Sequence, residues 1–358
     1  GLKEARRKER LAKLSEKRAR TVIGVRAASE DRKWLKESTP RVRELATERA
    51  PYDVVFATYG SYGSLWLGFL AKELGLARSI VADFRDLTDD PERFLPLELF
   101  ARRQQRKAVR KADAVTTVSR GLRKNLLEDP HLTKHSAKVH VLYNGFRKQH
   151  SPPRDPKKVP GPLRIVYTGS LYHGRRDASA LFAVLRELDE RDPSLQIEAH
   201  YAGGHGDLFT EMARAEGMEA HVVNHGKLSR EDAVKLQRDA DVLLVLSWNN
   251  AGDEGVLTGK FPEYLANGKP IVSIVSGDLP GAELTNLVNH LSLGVGIEES
   301  SIEAGKEQLR DFLARAAAQA AHAEPISWNA RQEDVDRFDY ENLTAQLERL
   351  METLNANE

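Results

Sequence analysis

The sequence predicts an α/β protein made of two halves, each a set of parallel βαβ units. Three observations carry this. Short apolar, β-branched runs alternate with longer helical patterns. The alternation restarts after a stretch, 151–162, that holds Pro152, Pro153, Pro156, Pro160 and Pro162 and reads as a linker. Loops containing Gly, Ser or polar residues follow the strands, at the ends where open parallel sheets hold ligands.

Residues 1–20 are basic, from Lys3, Arg6 and Arg7 to Arg18 and Arg20, with a thin apolar stripe of Leu2, Ala5, Leu11 and Leu14. Such a segment reads as a solvated or frayed helix, with attachment to an anionic membrane surface as the sharper alternative. Val22 to Val25 reads as a short strand, 30–49 as a charged helix and Val54 to Thr58 as a buried strand. The loop Tyr59 to Ser64 opens a helix, Leu65 to Leu74. The strand Ser79 to Ala82 runs into Asp83-Phe84-Arg85-Asp86, and a basic helix covers Pro96 to Lys111. Ala114 to Val118 and Val139 to Leu142 are further strands, with a helix from Gly121 between them, and Asn144-Gly145 is a turn.

In the second half Leu163 to Thr168 is a strand, and Gly169 to Gly174 a loop. Arg175-Arg176-Asp177 then opens a helix to about Leu188. Gln196 to Tyr201 is a strand, Asp207 to Glu216 a helix, and Val222-Val223 leads into Asn224-His225-Gly226-Lys227. A helix at 229–239 precedes the buried run Asp241 to Leu246. A short helix from Phe261 to Ala266, the run Ile271 to Val275, an Ala-rich helix at 302–322 and a helical region at 329–356 complete the chain.

Composition narrows the function. Charges nearly cancel, 54 basic against 53 acidic, so the chain as a whole is not built to attract nucleic acid. It has no Cys, which excludes disulfides and thiol chemistry and fits a cytoplasmic location. No apolar run approaches the ~20 residues that span a bilayer. No secretory signal pattern is visible, in a sequence that begins at Gly1. Neither half shows Gly-x-Gly-x-x-Gly, and no P-loop pattern is present, which disfavours dinucleotide and P-loop readings.

The stretch from Gly252 to Val272 is the richest in chemistry. A Gly-rich acidic loop runs into Thr258-Gly259-Lys260 and a short helix. Free backbone N–H groups at a helix start, with a lysine beside them, suit phosphate. Glu263, one turn in, can accept hydrogen bonds from vicinal hydroxyls. By spacing alone, an ordinary loop–helix–strand connection with solvated charges is the default.

Three runs change that default: Tyr167-Thr168-Gly169-Ser170 with Gly174-Arg175-Arg176; His225-Gly226 with Ala240-Asp241-Val242-Leu243-Leu244; and Thr258 to Pro270. Together they resemble the nucleotide-sugar-binding domain of retaining GT-B glycosyltransferases, family 4 type. The first half resembles that family more loosely, through Asp83 to Asp86, Val118 to Leu122 and Asn144-Gly145. The resemblance implies a GT-B fold: two Rossmann-like domains whose parallel sheets face across a cleft, with ligand between them. The expected domains are 1–150 on the acceptor side, 151–325 on the donor side, and a helical segment, 326–358, crossing back to the first.

The implied activity moves a sugar from a UDP- or GDP-linked donor to a saccharide, lipid-linked or small-molecule acceptor, with the anomeric configuration retained and no metal. Glu263 matches the glutamate that holds the donor ribose. Lys260 and Arg176, or Arg175, neutralise the diphosphate. Gly169, Ser170, Thr258 and Gly259 bring N–H groups to the phosphates, and His225 and Gly226 flank the base. His173 is a candidate phosphate or sugar contact, against a structural or exposed loop histidine. Asp86 either orients acceptor or caps a turn. The family often places two glutamates eight apart in this region, but position 255 is Gly, and Glu254 lies nine before Glu263. Either Glu254 reaches the donor sugar through a shifted loop, or another group does.

The family also begins with a strand and a Gly-Gly loop that nothing before Val22 matches, so the N-terminal half is expected to be incomplete. The implied partners are the donor and a glycan acceptor, with no nucleic acid and with the inner face of the membrane as a peripheral contact for the basic segment. Two alternatives stand beside this reading. One is a nucleotide-sugar 2-epimerase of the same fold, which needs carboxylate and histidine acid–base pairs. The other is a catalytically silent nucleotide-sugar-binding subunit of an assembly.

Overall fold

A computed structural model describes residues 29–49, 51–86, 95–148, 159–172, 175–251, 254–326 and 329–356. The basic segment 1–20, the strand expected at 22–25, His173 and most of the proline-rich linker lie outside these residues. The described residues divide into two compact units. One takes those up to Leu142 together with those from Gln346 onward, and the other runs Tyr143–Ala345.

In the first unit, helix α1 occupies 29–48. β1 (Tyr52–Tyr59), α2 (Tyr62–Glu73), β2 (Ala77–Phe84), α3 (Leu95–Lys111), β3 (Ala114–Thr117), α4 (Arg120–Glu128) and β4 (Val139–Val141) follow. The described strands pair in parallel in the order β1-β2-β3-β4. β2 is flanked on both sides and is buried at every position but Arg78, with the apolar run Ile80-Val81-Ala82 at its centre and the buried polar residues Ser79 and Asp83 on either side. α2 begins at Tyr62, three residues before the expected Leu65, because α1 caps it from outside. Asp31 accepts from the Gly63 N–H at 2.9 and 3.0 Å and from Ser61 Oγ at 2.5 Å. The N-cap residue of α2, Ser61, makes no side-chain cap bond of its own. The start of α4 is capped locally instead, by Ser119 Oγ, which accepts from the Leu122 N–H at 2.9 Å.

The second unit holds β5 (Leu163–Thr168), α5 (Ser179–Arg191), β6 (Ile197–Ala202), α6 (Gly206–Ala215), β7 (Val222–Asn224), α7 (Arg230–Arg238) and β8 (Val242–Trp248). It continues through α8 (Lys260–Leu265), β9 (Ile271–Ser276), α9 (Glu283–His290), β10 (Gly294–Glu298), α10 (Ile302–Ala321) and α11 (Gln332–Asp336). α12 (Tyr340–Ala356) begins here and from Gln346 belongs to the first unit. The described strands pair in parallel in the order β10-β9-β8-β5-β6-β7. Counted from β5 outward, this is the doubly wound Rossmann order. The strands all run parallel, and the order in which they are added reverses between β5 and β8, the point at whose carboxyl end sheets of this order form a crevice.

Two elements of this unit, α9 and β10, were not expected from sequence. Gly294 and Gly296 dilute the strand pattern of β10, and packing is what requires them. A Cβ on Gly294 would stand 2.2 Å from the Ile271 carbonyl oxygen, and one on Gly296 would stand 3.0 Å from that of Thr285. α5 starts at Ser179, so Arg175 and Arg176 lie in the loop before it and not at a helix start as the sequence suggested.

Candidate functional site

The crevice of the second unit gathers its chemistry from the loops after β5, β6, β7 and β8. β5 ends in Thr168, and Gly169 follows with φ at +147°, a backbone region that only glycine enters cheaply. The Gly169 carbonyl accepts from Tyr201 Oη at 2.9 Å, and its N–H donates to the Ala202 carbonyl at 2.9 Å. A Cβ on Gly203 would stand 2.1 Å from the Gly169 oxygen, so the loops after β5 and β6 meet backbone to backbone. Gly203 N–H donates to the Gly226 carbonyl at 2.8 Å, which draws in the loop after β7.

Arg176 is 8 % exposed, burial that a guanidinium accepts only with partners. It donates to the Ser170 carbonyl at 3.1 Å and weakly to Tyr167 Oη at 3.4 Å. Its guanidinium carbon lies 4.4 Å from the Tyr172 ring and 5.6 Å from the Trp248 ring. Burial pushes the Tyr167 hydroxyl up to about 12, against the opposing effect of Arg176, so it remains a neutral donor. Tyr172 is the exposed wall of this cluster, 50 % accessible and with φ at +46°. Arg175 also faces Trp248, at 5.4 Å. Ser170 Oγ lies 3.2 Å from His205 Nδ1.

The loop after β8 reaches α8. Gly255 has φ at +77°, and its carbonyl accepts from the Leu257 N–H at 2.9 Å. Ser247 Oγ donates to the Val256 carbonyl at 2.9 Å, tying the loop to β8. The glutamate pattern therefore breaks at a position whose backbone favours glycine, and Glu254 stands immediately before that turn. Thr258 is buried, and Gly259 is the exposed N-cap of α8. With only six residues, α8 carries a weaker dipole than a long helix would, so the lysine ammonium at its start, Lys260, is the larger local charge.

Lys260 Nζ lies 3.3 and 3.2 Å from the two carboxylate oxygens of Glu263. It is also close to the β5 loop, since a Cβ on Gly169 would stand 3.8 Å from Lys260 Cε. Glu263 Oε1 accepts from Gln237 Nε2 at 2.6 Å, and Gln237 also donates to Thr168 Oγ1 at 2.9 Å. Gly169, Ser170, Arg176, Lys260 and Glu263 thus stand around the β5–β8 crevice. Sequence reasoning missed Gln237, Thr168, Tyr172 and Trp248. Gln237 left no signal there, since it sits in a helix of charged residues that reads as solvated.

His225 and Gly226 lie at the end of β7. His225 Nε2 is 3.0 Å from His200 Nδ1, and His200 Nε2 is 3.0 Å from Glu198 Oε2, a chain of two imidazoles and a carboxylate. Partial burial, and then the facing His200, hold His225 below the ordinary histidine value. In the first unit, burial and then Arg123 do the same to His140, whose ordinary value is 6.5. For both residues the folded chain resists a proton that the unfolded chain accepts. Stability should therefore fall as pH drops through about 6.5, the range where the unfolded state binds more protons. The urea midpoint should be lower at about pH 5.5 than at about pH 7.5, and an equal or higher midpoint would contradict this assignment.

Asp86 lies in the first unit, two residues beyond the end of β2. It borders a small pocket with Phe84, Gln105, Thr117 and Asn125, and desolvation raises its carboxyl above the usual range. Asp83 beside it is fully buried and held by Thr116 Oγ1 and Arg85 Nε, both at 2.7 Å. No described helix is long and apolar enough to cross a membrane.

Residues 4–145 match the family described as Glycosyl transferase 4-like domain. No curated protein matches the chain in sequence. Solved structures match it in fold. The lipopolysaccharide outer core galactosyltransferase WaaB, in its apo form, is 15 % identical with a TM-score of 0.53, over 92 % of this chain and 80 % of that one. The trehalose 6-phosphate synthase of Burkholderia multivorans is 12 % identical with a TM-score of 0.57, over 90 % and 76 %. S. aureus TarM, solved with UDP, fondaparinux and alpha-GlcNAc-glycerol, is 13 % identical with a TM-score of 0.54, over 83 % of this chain and 55 % of its own. At these identities the likeness is one of fold, and the chain spans little more than half of TarM. Residues 4–145 thus match a glycosyl transferase 4-like domain, and the chain shares the GT-B fold of these glycosyltransferase structures.

Proposed function

We propose that the chain transfers a sugar, with retention, from a nucleoside-diphosphate sugar to a saccharide, lipid-linked or small-molecule acceptor. The observation that carries this is the convergence at the β5–β8 switch point: a glycine loop, a buried arginine and a Lys260–Glu263 pair around one crevice. As the bond between the anomeric carbon and the diphosphate breaks, its electron pair goes to the leaving oxygen, the acceptor's hydroxyl oxygen bonds the anomeric carbon, and the hydroxyl proton passes to the released diphosphate. Arg176 and Lys260 neutralise that charge, and the Gly169 loop and the Thr258-Gly259 backbone flank the phosphates. Glu263 accepts from the ribose hydroxyls, His225 and Gly226 border the base, and Glu254 reaches the donor sugar. Arg175 and His173 are secondary phosphate contacts in this reading, and Asp86 in the first unit orients the acceptor. The unit holding the crevice is the donor domain. The basic N-terminal segment brings the protein to the inner face of the membrane.

A second reading has one observation behind it. The Glu198–His200–His225 chain is the kind of acid–base relay that a nucleotide-sugar 2-epimerase requires. Incubation with UDP- and GDP-linked hexoses separates the readings. Release of nucleoside diphosphate that requires an added acceptor is the expected result. Interconversion of sugars without release supports the epimerase, and binding with neither supports a silent subunit.

A further inference from the structure

The geometry points to Gln237 as the residue that aims Glu263, and so decides whether the site tells ribose from deoxyribose. This rests on the donor-site reading above. Gln237 lies on α7 among Arg230, Glu231, Asp232, Lys235 and Arg238, yet it is 1 % exposed. A buried amide in an otherwise charged helix has left water for a partner. Both hydrogens of its Nε2 are used, one on Thr168 Oγ1 at 2.9 Å and one on Glu263 Oε1 at 2.6 Å. Its Oε1 makes no hydrogen bond among the described residues. The amide therefore has one sensible orientation, since turning it over would set an oxygen against the carboxylate.

Gln237 is held at its other end by a rigid anchor. The Thr168 N–H donates to Tyr264 Oη at 3.0 Å, and Thr168 Oγ1 shares a hydrogen bond with the same hydroxyl at 3.1 Å. Tyr264 is fully buried. The end of β5 thus fixes Gln237, and Gln237 fixes Glu263. The other partner of Glu263, Lys260, is a flexible and partly exposed chain. When a diphosphate draws Lys260 to itself, Gln237 is left holding Oε1, and Oε2 is free to accept from a ribose hydroxyl. A neutral amide does this without quenching the carboxylate charge that makes the acceptor strong.

The test is calorimetric titration of the full chain with UDP and GDP and with their 2′-deoxy and 3′-deoxy counterparts. Wild type should bind its ribonucleotide about 10–100-fold more tightly than at least one deoxy form, the range of a hydrogen bond to a charged group. Gln237→Met keeps the volume, leaves Thr168 its Tyr264 partner and strands no new buried donor, so the variant should fold. It should lose about tenfold in ribonucleotide affinity, change less than threefold for the deoxy form, and so lose the discrimination. Added to Glu263→Ala, it should have no further effect. If Gln237→Met keeps the ratio while Glu263→Ala abolishes it, the aiming role is wrong and the donor site stands. If Gln237→Met weakens both nucleotides equally, its role is structural and the proposal fails. If Glu263→Ala also keeps the ratio, or wild type binds neither nucleotide, the donor reading falls and takes this proposal with it.

Discussion

Lys260→Ala is expected to lower sugar transfer by about 10²–10³-fold, with kcat and kcat/KM falling together, while barely changing stability. The two halves of this expectation have different causes. The Lys260–Glu263 pair sits on a helix at i,i+3 with side-chain exposures of 30 % and 36 %. Pairs this open contribute about 0–1 kcal/mol to folding. The same cation, held at the crevice beside the Gly169 loop, would meet the charge that grows on the leaving diphosphate. That charge is largest in the transition state, so the loss appears in turnover more than in ground-state binding. Steady-state release of nucleoside diphosphate measures it. Turnover within about threefold of wild type would remove Lys260 from the mechanism.

Phe261→Ala, one residue further along, is expected to cost about 3–5 kcal/mol of stability. Phe261 is fully buried, and its ring meets that of Phe338 edge to face at 5.4 Å and 87°. It belongs to the buried cluster of Val166, Leu243, Val245 and Leu265, on the same short helix as Lys260. Truncation leaves a ring-sized cavity that a doubly wound sheet has little freedom to close. Urea unfolding followed by fluorescence should show the lower midpoint. A loss below about 1 kcal/mol would mean that α8 is not seated on this core. The contrast between neighbours is informative in itself: residue 260 should govern chemistry and residue 261 the platform beneath it.

Some of the molecule is legible in the sequence because local rules decide it. β5 is a short run of apolar and β-branched residues interrupted only by Arg164 and bounded by Pro162 and Gly169, and its predicted limits, Leu163 to Thr168, are the observed ones. β8 is buried on both faces, so its unbroken apolar run identifies it without any partner. Lys260 and Glu263 belong to one short, dense stretch, and their proximity at i,i+3 follows from helix geometry.

Other features depend on neighbours that the sequence places far away. Gly294 weakens the strand signal of β10, and its reason is the Ile271 carbonyl, which would meet any side chain there. α2 starts early because Asp31, from another helix, supplies the cap. Arg176 looks like a helix-start residue but is a buried loop residue lodged against Tyr172 and Trp248. Gly255 breaks the glutamate pattern at a turn with φ at +77°.

By itself, then, the sequence determined the α/β class, the two βαβ halves and the nearness of Lys260 to Glu263, because periodicity, turn residues and short-range spacing are local quantities. The tertiary structure decided the strand order that opens the β5–β8 crevice and the burial of Gln237 between Thr168 and Glu263. Those depend on which side chains meet across 69 and 26 residues of chain, and only packing brings them together.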